Sequence, residues 1–126
     1  MSDIDHDTVL NTLFKFDEDI AIVLGSLANK RRLQLLTLLT KGTHTFKELQ
    51  KATGLGKTAL AHHLAVLVKT GLLKHTGRGR YELSQDGVEL LNAVGTTYAS
   101  SKRRRELEAA RRADYIQKTH TKRREP

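Results

Sequence analysis

Two glycines flank a single leucine at Gly54-Leu55-Gly56, and this tight turn separates a short helical segment from a longer one. Upstream, Thr45 followed three residues later by Glu48 is a capping box that opens a helix running through Leu49 to about residue 53. Downstream, Leu60, Leu64, Leu67 and Val68 recur on one face of a segment over about 57–70, which Gly71 terminates. Residues 72–76 and 80–83 then read as two short strands, and Gly77-Arg78-Gly79 between them supplies the backbone freedom of a hairpin turn. Short helix, tight turn, longer helix and arginine-tipped hairpin, in that order, leave few ways to fold.

The rest of the chain is helical in pattern. From Asp7 to about residue 27, Val9, Leu10, Leu13, Phe14, Ile20, Val23, Leu24 and Leu27 recur at three- and four-residue intervals, with Asp17, Glu18 and Asp19 placed to cap a second helix within the stretch. Asn29 caps the next helix, whose apolar positions include Leu33, Leu36 and Leu39 and whose end is Lys41-Gly42. Thr43-His44-Thr45 reads as one brief strand, and Ser84 caps a last helix carrying Val88, Leu91 and Val94. Beyond Gly95 the chain is polar and helix-prone, and with its only proline at the terminus nothing forbids a long C-terminal helix. The expected fold class is mainly α with a small β-hairpin. Residues 1–19 form an acidic N-terminal helix, 20–95 the central domain, and 96–126 a basic helical tail.

Charge points to the ligand. The chain carries a net +8, but residues 1–19 are net −5, so the basic character lies in the middle and the tail. A surplus of that size favours a polyanion, because each Lys or Arg that neutralises a phosphate releases a condensed counterion. There is no cysteine, which excludes disulfides and thiolate metal sites. The N-terminus is acidic and the longest apolar run breaks at Gly25, so a soluble cytoplasmic (nucleoid-associated) protein without membrane insertion is expected. No cofactor or metal is expected. No paired carboxylates or nucleophile–base set occur at useful spacing, so the chain does not read as an enzyme.

A helix fits the major groove of duplex DNA and presents its first turns to base edges, while a basic hairpin reaches the neighbouring groove or phosphates. With Leu60, Leu64 and Leu67 inward, a 3.6-residue period turns Lys57, Thr58, Ala61, His62 and Ala65 outward. Lys57 suits guanine or phosphate, Thr58 a phosphate or base acceptor, and Ala61 a thymine methyl. On the hairpin, Arg78 and Arg80, with Lys74 and His75 at its base, are placed for phosphate or minor-groove contact. Thr43, Thr45 and Lys47 surround a helix N-terminus, where the unpaired amides favour an anion. His63 adjoins the buried stripe and reads as a partly buried packing or hydrogen-bonding residue. As a metal pair His62-His63 is poor, since adjacent helical residues point about 100° apart. GLGKT is not a phosphate-binding loop of the nucleotide-hydrolase type, because Lys51 stands where that motif needs its first glycine.

Three stretches carry a family resemblance. LGSLANKRRLQLLTLLTKG (24–42) resembles the opening of ArsR-like regulators, GLGKTALAHHLAVLVKTGLL (54–73) is similar to their turn and recognition helix, and YELSQDGVELLNAV (81–94) to their last wing strand and following helix. MarR-like relatives share the pattern. The resemblance implies a winged helix-turn-helix over roughly residues 20–95, with Gly56, Lys57, Thr58, Ala61 and His62 on the groove side. The metal-sensing members use cysteines, or spaced His and carboxylates in the C-terminal helix. This chain has neither pattern.

The leading expectation is a homodimeric, sequence-specific transcription regulator bound to double-stranded DNA, with the N- and C-terminal helices as dimer surfaces. The alternatives are a weakly specific architectural chromatin protein of the same fold and a protein-binding winged-helix module. In the tail, Lys102-Arg103-Arg104-Arg105 reads as a solvated helix with i,i+4 support such as Glu108 with Arg112, as a supplementary DNA-binding arm, or as a membrane-surface or protein-binding segment.

Overall fold

The computed structural model describes residues 4–124, with side chains to His120. Each short helix begins where a local signal puts it. Asp5 accepts a hydrogen bond from the Thr8 amide and starts α1 (His6–Lys15), and three acidic residues occupy the first turn of α2 (Asp17–Leu27). Asn29 accepts from the amides of Arg31 and Arg32 at the head of α3 (Lys30–Leu39). Thr45 and Glu48 close the capping box of α4 (Phe46–Thr53), and Gly54 ends that helix in the left-handed conformation at φ 71°. Then come α5 (Lys57–Lys69), β2 (Leu73–Thr76), β3 (Arg80–Leu83) and α6 (Gln85–Arg124), while β1 (His44–Thr45) precedes α4.

The hairpin is larger than the sequence suggested. β1 pairs antiparallel with β3, setting His44 against Tyr81 and Thr45 against Arg80, so the strands form a three-stranded sheet in the order β1-β3-β2. The fold is a winged helix-turn-helix with a long C-terminal helix.

Its core is leucine throughout. Leu35, Leu36 and Leu39 of α3, Leu49 of α4, Leu60, Leu64 and Leu67 of α5, and Leu72 and Leu73 at the foot of the wing are buried, joined by Leu27. Each contributes about 1.5–3 kcal/mol relative to an exposed position. Of the apolar positions of α3, Leu36 and Leu39 are buried together with Leu35, whereas Leu33 is 40% exposed. Leucines at 33, 35, 36, 38 and 39 fill too much of the circumference for periodicity alone to choose the face.

Ser84 ties the wing to the end of α5. Its buried hydroxyl donates to the carbonyl of Gly71 (2.6 Å) and accepts from the amide of Gly87 (2.9 Å), while its own amide donates to the Leu72 carbonyl (3.1 Å). Gly87 is buried against this junction, and a Cβ there would overlap the Leu72 carbonyl oxygen. Gly95, further along α6, faces open space. By backbone contacts the chain divides into two compact units, residues 1–89 and 90–126, and α6 is one continuous helix across the division.

Gly87→Ala is therefore expected to lower the unfolding free energy by about 1–3 kcal/mol in denaturant titration. Gly95→Ala is expected to leave it unchanged or raise it by up to about 1 kcal/mol.

Candidate nucleic-acid interface

Burial of Leu60, Leu64 and Leu67 decides which side of α5 faces out. Lys57, Thr58, Ala61, His62 and Ala65 are all exposed, as the period requires, and Ala59 is exposed beside them. Gly56 forms the N-cap of α5 and provides no side-chain cap, so the first-turn amides open towards solvent. In this α5 differs from α4, whose N-terminus already holds the Glu48 carboxylate.

That carboxylate changes the surroundings of Thr43, Thr45 and Lys47. The Thr45 hydroxyl accepts from the Glu48 amide and the Thr45 amide donates to Glu48 Oε1, both at 3.1 Å. These bonds hold the Glu48 carboxyl below its ordinary range, with the charges of Arg80 and His44 acting in the same direction. Thr43 and Thr45 are brought together with Arg80, which lies opposite Thr45 in the sheet and donates from Nε to Thr43 Oγ1 (3.3 Å). Arg80 is thus half-buried and engaged within the fold, whereas Lys47 is exposed.

On the wing, Lys74 is exposed on β2 opposite Glu82. His75 stacks on Tyr81 with ring centroids 4.4 Å apart and planes 2° from parallel, stiffening the strand pair. The exposed tip carries the clearest signal of function over stability. Arg78 has φ 68°, followed by Gly79 at 69°. A left-handed conformation costs a side chain with a Cβ about 1–2 kcal/mol, and glycine or asparagine is the ordinary occupant. Strain of this kind concentrates where a side chain has work to do at a ligand.

One element of the site has no sequence signal. Arg32 of α3 donates from Nε to the Ser26 carbonyl at the end of α2 (2.5 Å), and its NH1 lies 3.2 Å from His63 Nδ1 on α5. Because guanidinium only donates, Nδ1 is the acceptor and His63 is neutral. Burial first, then the charge of Arg32, with His62 and Arg31 adding, pushes the imidazole below its ordinary value of 6.5. His63 is thus the half-buried hydrogen-bonding residue expected, but its partner lies 31 positions away, beyond any local pattern. Ser26 also meets Thr70, the C-cap of α5 (3.1 Å between hydroxyls), so the helix is held at its middle and at its C-terminal end. Among the described residues no three His, Asp or Glu are grouped to hold a metal ion, and no helix is long and apolar enough to cross a membrane.

Residues 29–75, which hold α3 to β2, match the model of the family described as bacterial regulatory protein, arsR family. No curated protein matches the chain. Among solved structures, a possible transcriptional regulatory protein from Mycobacterium bovis (fragment 1–100) is 31% identical, with 66% of this chain covering 92% of that one at a TM-score of 0.58. The transcriptional repressor BigR from Xylella fastidiosa is 25% identical over 73% of this chain and 95% of its own, at 0.60. A homodimeric winged helix-turn-helix DNA-binding domain from Mycobacterium bovis, described as a possible ArsR-family regulator, is 27% identical over 79% and 91%, also at 0.60.

The Arg32–His63 bond makes stability depend on pH in one direction. A lowered folded-state pKa means the unfolded chain binds the proton more readily, so stability is full above about pH 6.5 and falls as pH drops through the lowered value. In His63→Gln the amide oxygen still accepts from Arg32 but does not titrate. Between pH 7.5 and pH 5 the thermal midpoint of the native chain is expected to fall further than that of His63→Gln; equal losses would mean that His63 does not carry the dependence.

Proposed function

Because the chain belongs to the ArsR family of DNA-binding winged helix-turn-helix transcription regulators, a non-enzymatic family, we propose that it acts as a homodimer on specific operator sequences. The N-terminal half of α5 lies in the major groove, and the wing rests on the adjacent groove or backbone. The observation that carries this reading is the exposed row Lys57, Thr58, Ala61 and His62, opening from an uncapped helix end, together with an arginine held at positive φ on the wing tip. Gly56 lets the backbone approach a phosphate at that end. Lys74 and Lys47 add exposed charge. Thr43, Thr45 and Arg80 contribute as a braced cluster, with Arg80 turning its remaining guanidinium donors to phosphate.

Dimerisation follows from how little one helix can read, since two-fold pairing doubles the site. The surfaces that support it are apolar and uncovered. No residue of α1 is buried, and Val9, Leu10, Leu13 and Phe14 are exposed, Phe14 at 79%. Val94 and Tyr98 are exposed on α6. The acidic segment 1–19 and the part of α6 about Tyr98 serve the dimer, and the domain over 20–95 carries the groove contacts with DNA. The homodimeric Mycobacterium bovis domain gives a precedent for this assembly in a relative. The site of action is the cytoplasm, at the nucleoid.

One feature favours a second reading. The outward row of α5 is poor in long base-reading side chains, as suits a weakly specific architectural protein of the same fold. Selection of duplexes from a random pool, then affinity for the selected and a random duplex at one salt concentration, separates the two. A regulator is expected to prefer its site by roughly 10³-fold or more. A ratio near unity assigns the architectural role.

Lys57→Ala is expected to weaken DNA binding and flatten its salt dependence by roughly one unit per phosphate contact removed. Arg78→Gly should do the same while leaving the thermal midpoint unchanged or higher, because it relieves the backbone strain. Loss of fold together with binding would refute that separation. Phe14→Glu is expected to shift the chain from dimer to monomer in sedimentation equilibrium and to reduce affinity for a two-half-site duplex. A dimer of undiminished strength would move the interface elsewhere.

A further inference from the structure

The distal part of α6 is a charged rod with most of its cations uncommitted. Between Lys102 and Lys118 it carries seven Lys/Arg and three acids, Glu106, Glu108 and Asp114. Lys102 to Arg112 are exposed throughout. The anticipated Glu108–Arg112 pair does not form; the ion pair among the described residues is Lys118–Asp114 at 3.1 Å. Arg105 leans on its own helix, donating to Ser101 Oγ (3.0 Å) with its guanidinium 5.8 Å from the Tyr98 ring centroid. Arg104, Arg111 and Arg112 make no such bond.

These charges are not spread evenly around the axis. At 100° per residue, Arg104, Arg105, Arg111, Arg112 and Lys118 fall within an arc of about 140° that contains one carboxylate, Glu108. Glu106 and Asp114 lie outside it, as do Lys102 and Arg103. Arg104, Arg111 and Lys118 succeed each other at seven-residue intervals, a line of cations about 21 Å long, close to the rise of six base pairs.

The apolar residues exclude the other common partner of a basic helix. A helix that lies on a lipid surface gathers its apolar side chains on one face. Here Leu107 and Ile116, both exposed, are nine residues apart and project from opposite sides, and Tyr115 lies within the basic arc. The surface offers charge without a greasy face, which suits a phosphate backbone.

We propose that the face of α6 bearing Arg104, Arg105, Arg111 and Arg112 is a second contact surface for double-stranded DNA, binding phosphates without reading bases, in addition to α5 and the wing. It rests on the DNA-binding reading above. It adds affinity, and its contacts are indifferent to sequence.

The test uses the full chain and two charge-matched variants, Arg104→Gln/Arg111→Gln on the face and Lys102→Gln/Arg103→Gln off it. Both keep good helix formers, and circular dichroism checks that helix content is unchanged. The slope of log affinity against log salt is measured on the selected duplex. The on-face variant is expected to reduce the slope by about two units per protomer engaged and to weaken random and selected duplexes by the same factor; the off-face variant should match the native chain. Equal losses from both variants would reduce the face to diffuse charge and overturn the proposal. So would a native slope in the on-face variant where Lys57→Ala is impaired, an outcome that leaves the proposed function standing. Loss of binding to phosphatidylserine vesicles or duplex RNA, with DNA binding unaltered, would give the face to another partner. Failure of the native chain to bind any duplex overturns both readings.

Discussion

Everything the protein presents to the outside is set by three leucines turned inward. Leu60, Leu64 and Leu67 lie on one stripe of α5, and their burial, where α5 packs on α2, α3 and β2, fixes the rotation of that helix about its own axis. Turning α5 by one residue would swing the stripe by about 100° and expose several kcal/mol of apolar surface. The row beginning at Lys57 faces outward as a consequence. The buried apolar side chains are all leucine, the two buried hydroxyls, Ser26 and Ser84, are both hydrogen-bonded, and none of the described buried side-chain polar atoms lacks a partner.

Rotation alone does not fix tilt or position, and here polar bonds do what apolar contacts cannot. Arg32 links the end of α2 to the middle of α5 through Ser26 and His63, and Ser26 reaches α5 again at its C-cap, Thr70. Ser84 performs the equivalent task for the wing, joining the foot of the hairpin to the exit of α5 with one hydroxyl that both donates and accepts. α5 and the wing therefore sit on a common frame. The proposed two-point contact with DNA calls for such a frame, because elements that drift relative to each other would cost ordering entropy on binding.

Much of this was legible residue by residue. Asn29, the Thr45–Glu48 box, Gly54 and Ser84 mark their helix ends through bonds that span two to four positions, and such signals survive whatever the rest of the chain does. What escaped detection had long range or excess symmetry. The pairing of β1 with β3 joins residues far apart in the chain, so His44 and Thr45 announced a strand without announcing its neighbour. The inner face of α3 was left open, because a leucine-rich segment looks apolar from several directions, and Leu33 turned out to be exposed. At the head of α4, Thr43, Thr45 and Lys47 read as an anion site, yet the signal that makes Glu48 a cap puts a carboxylate there.

The order of elements, their boundaries, the outward row of α5 and the basic hairpin were determined by sequence alone, since each depends on periodicity or on a cap a few residues wide. The pairing of the third strand, the buried face of α3 and the Arg32–His63 bond were decided only by tertiary structure. They depend on which distant surfaces meet, or on which of several equivalent partners a flexible side chain takes. A one-dimensional pattern encodes what a residue prefers to bury or expose; it does not encode what stands opposite.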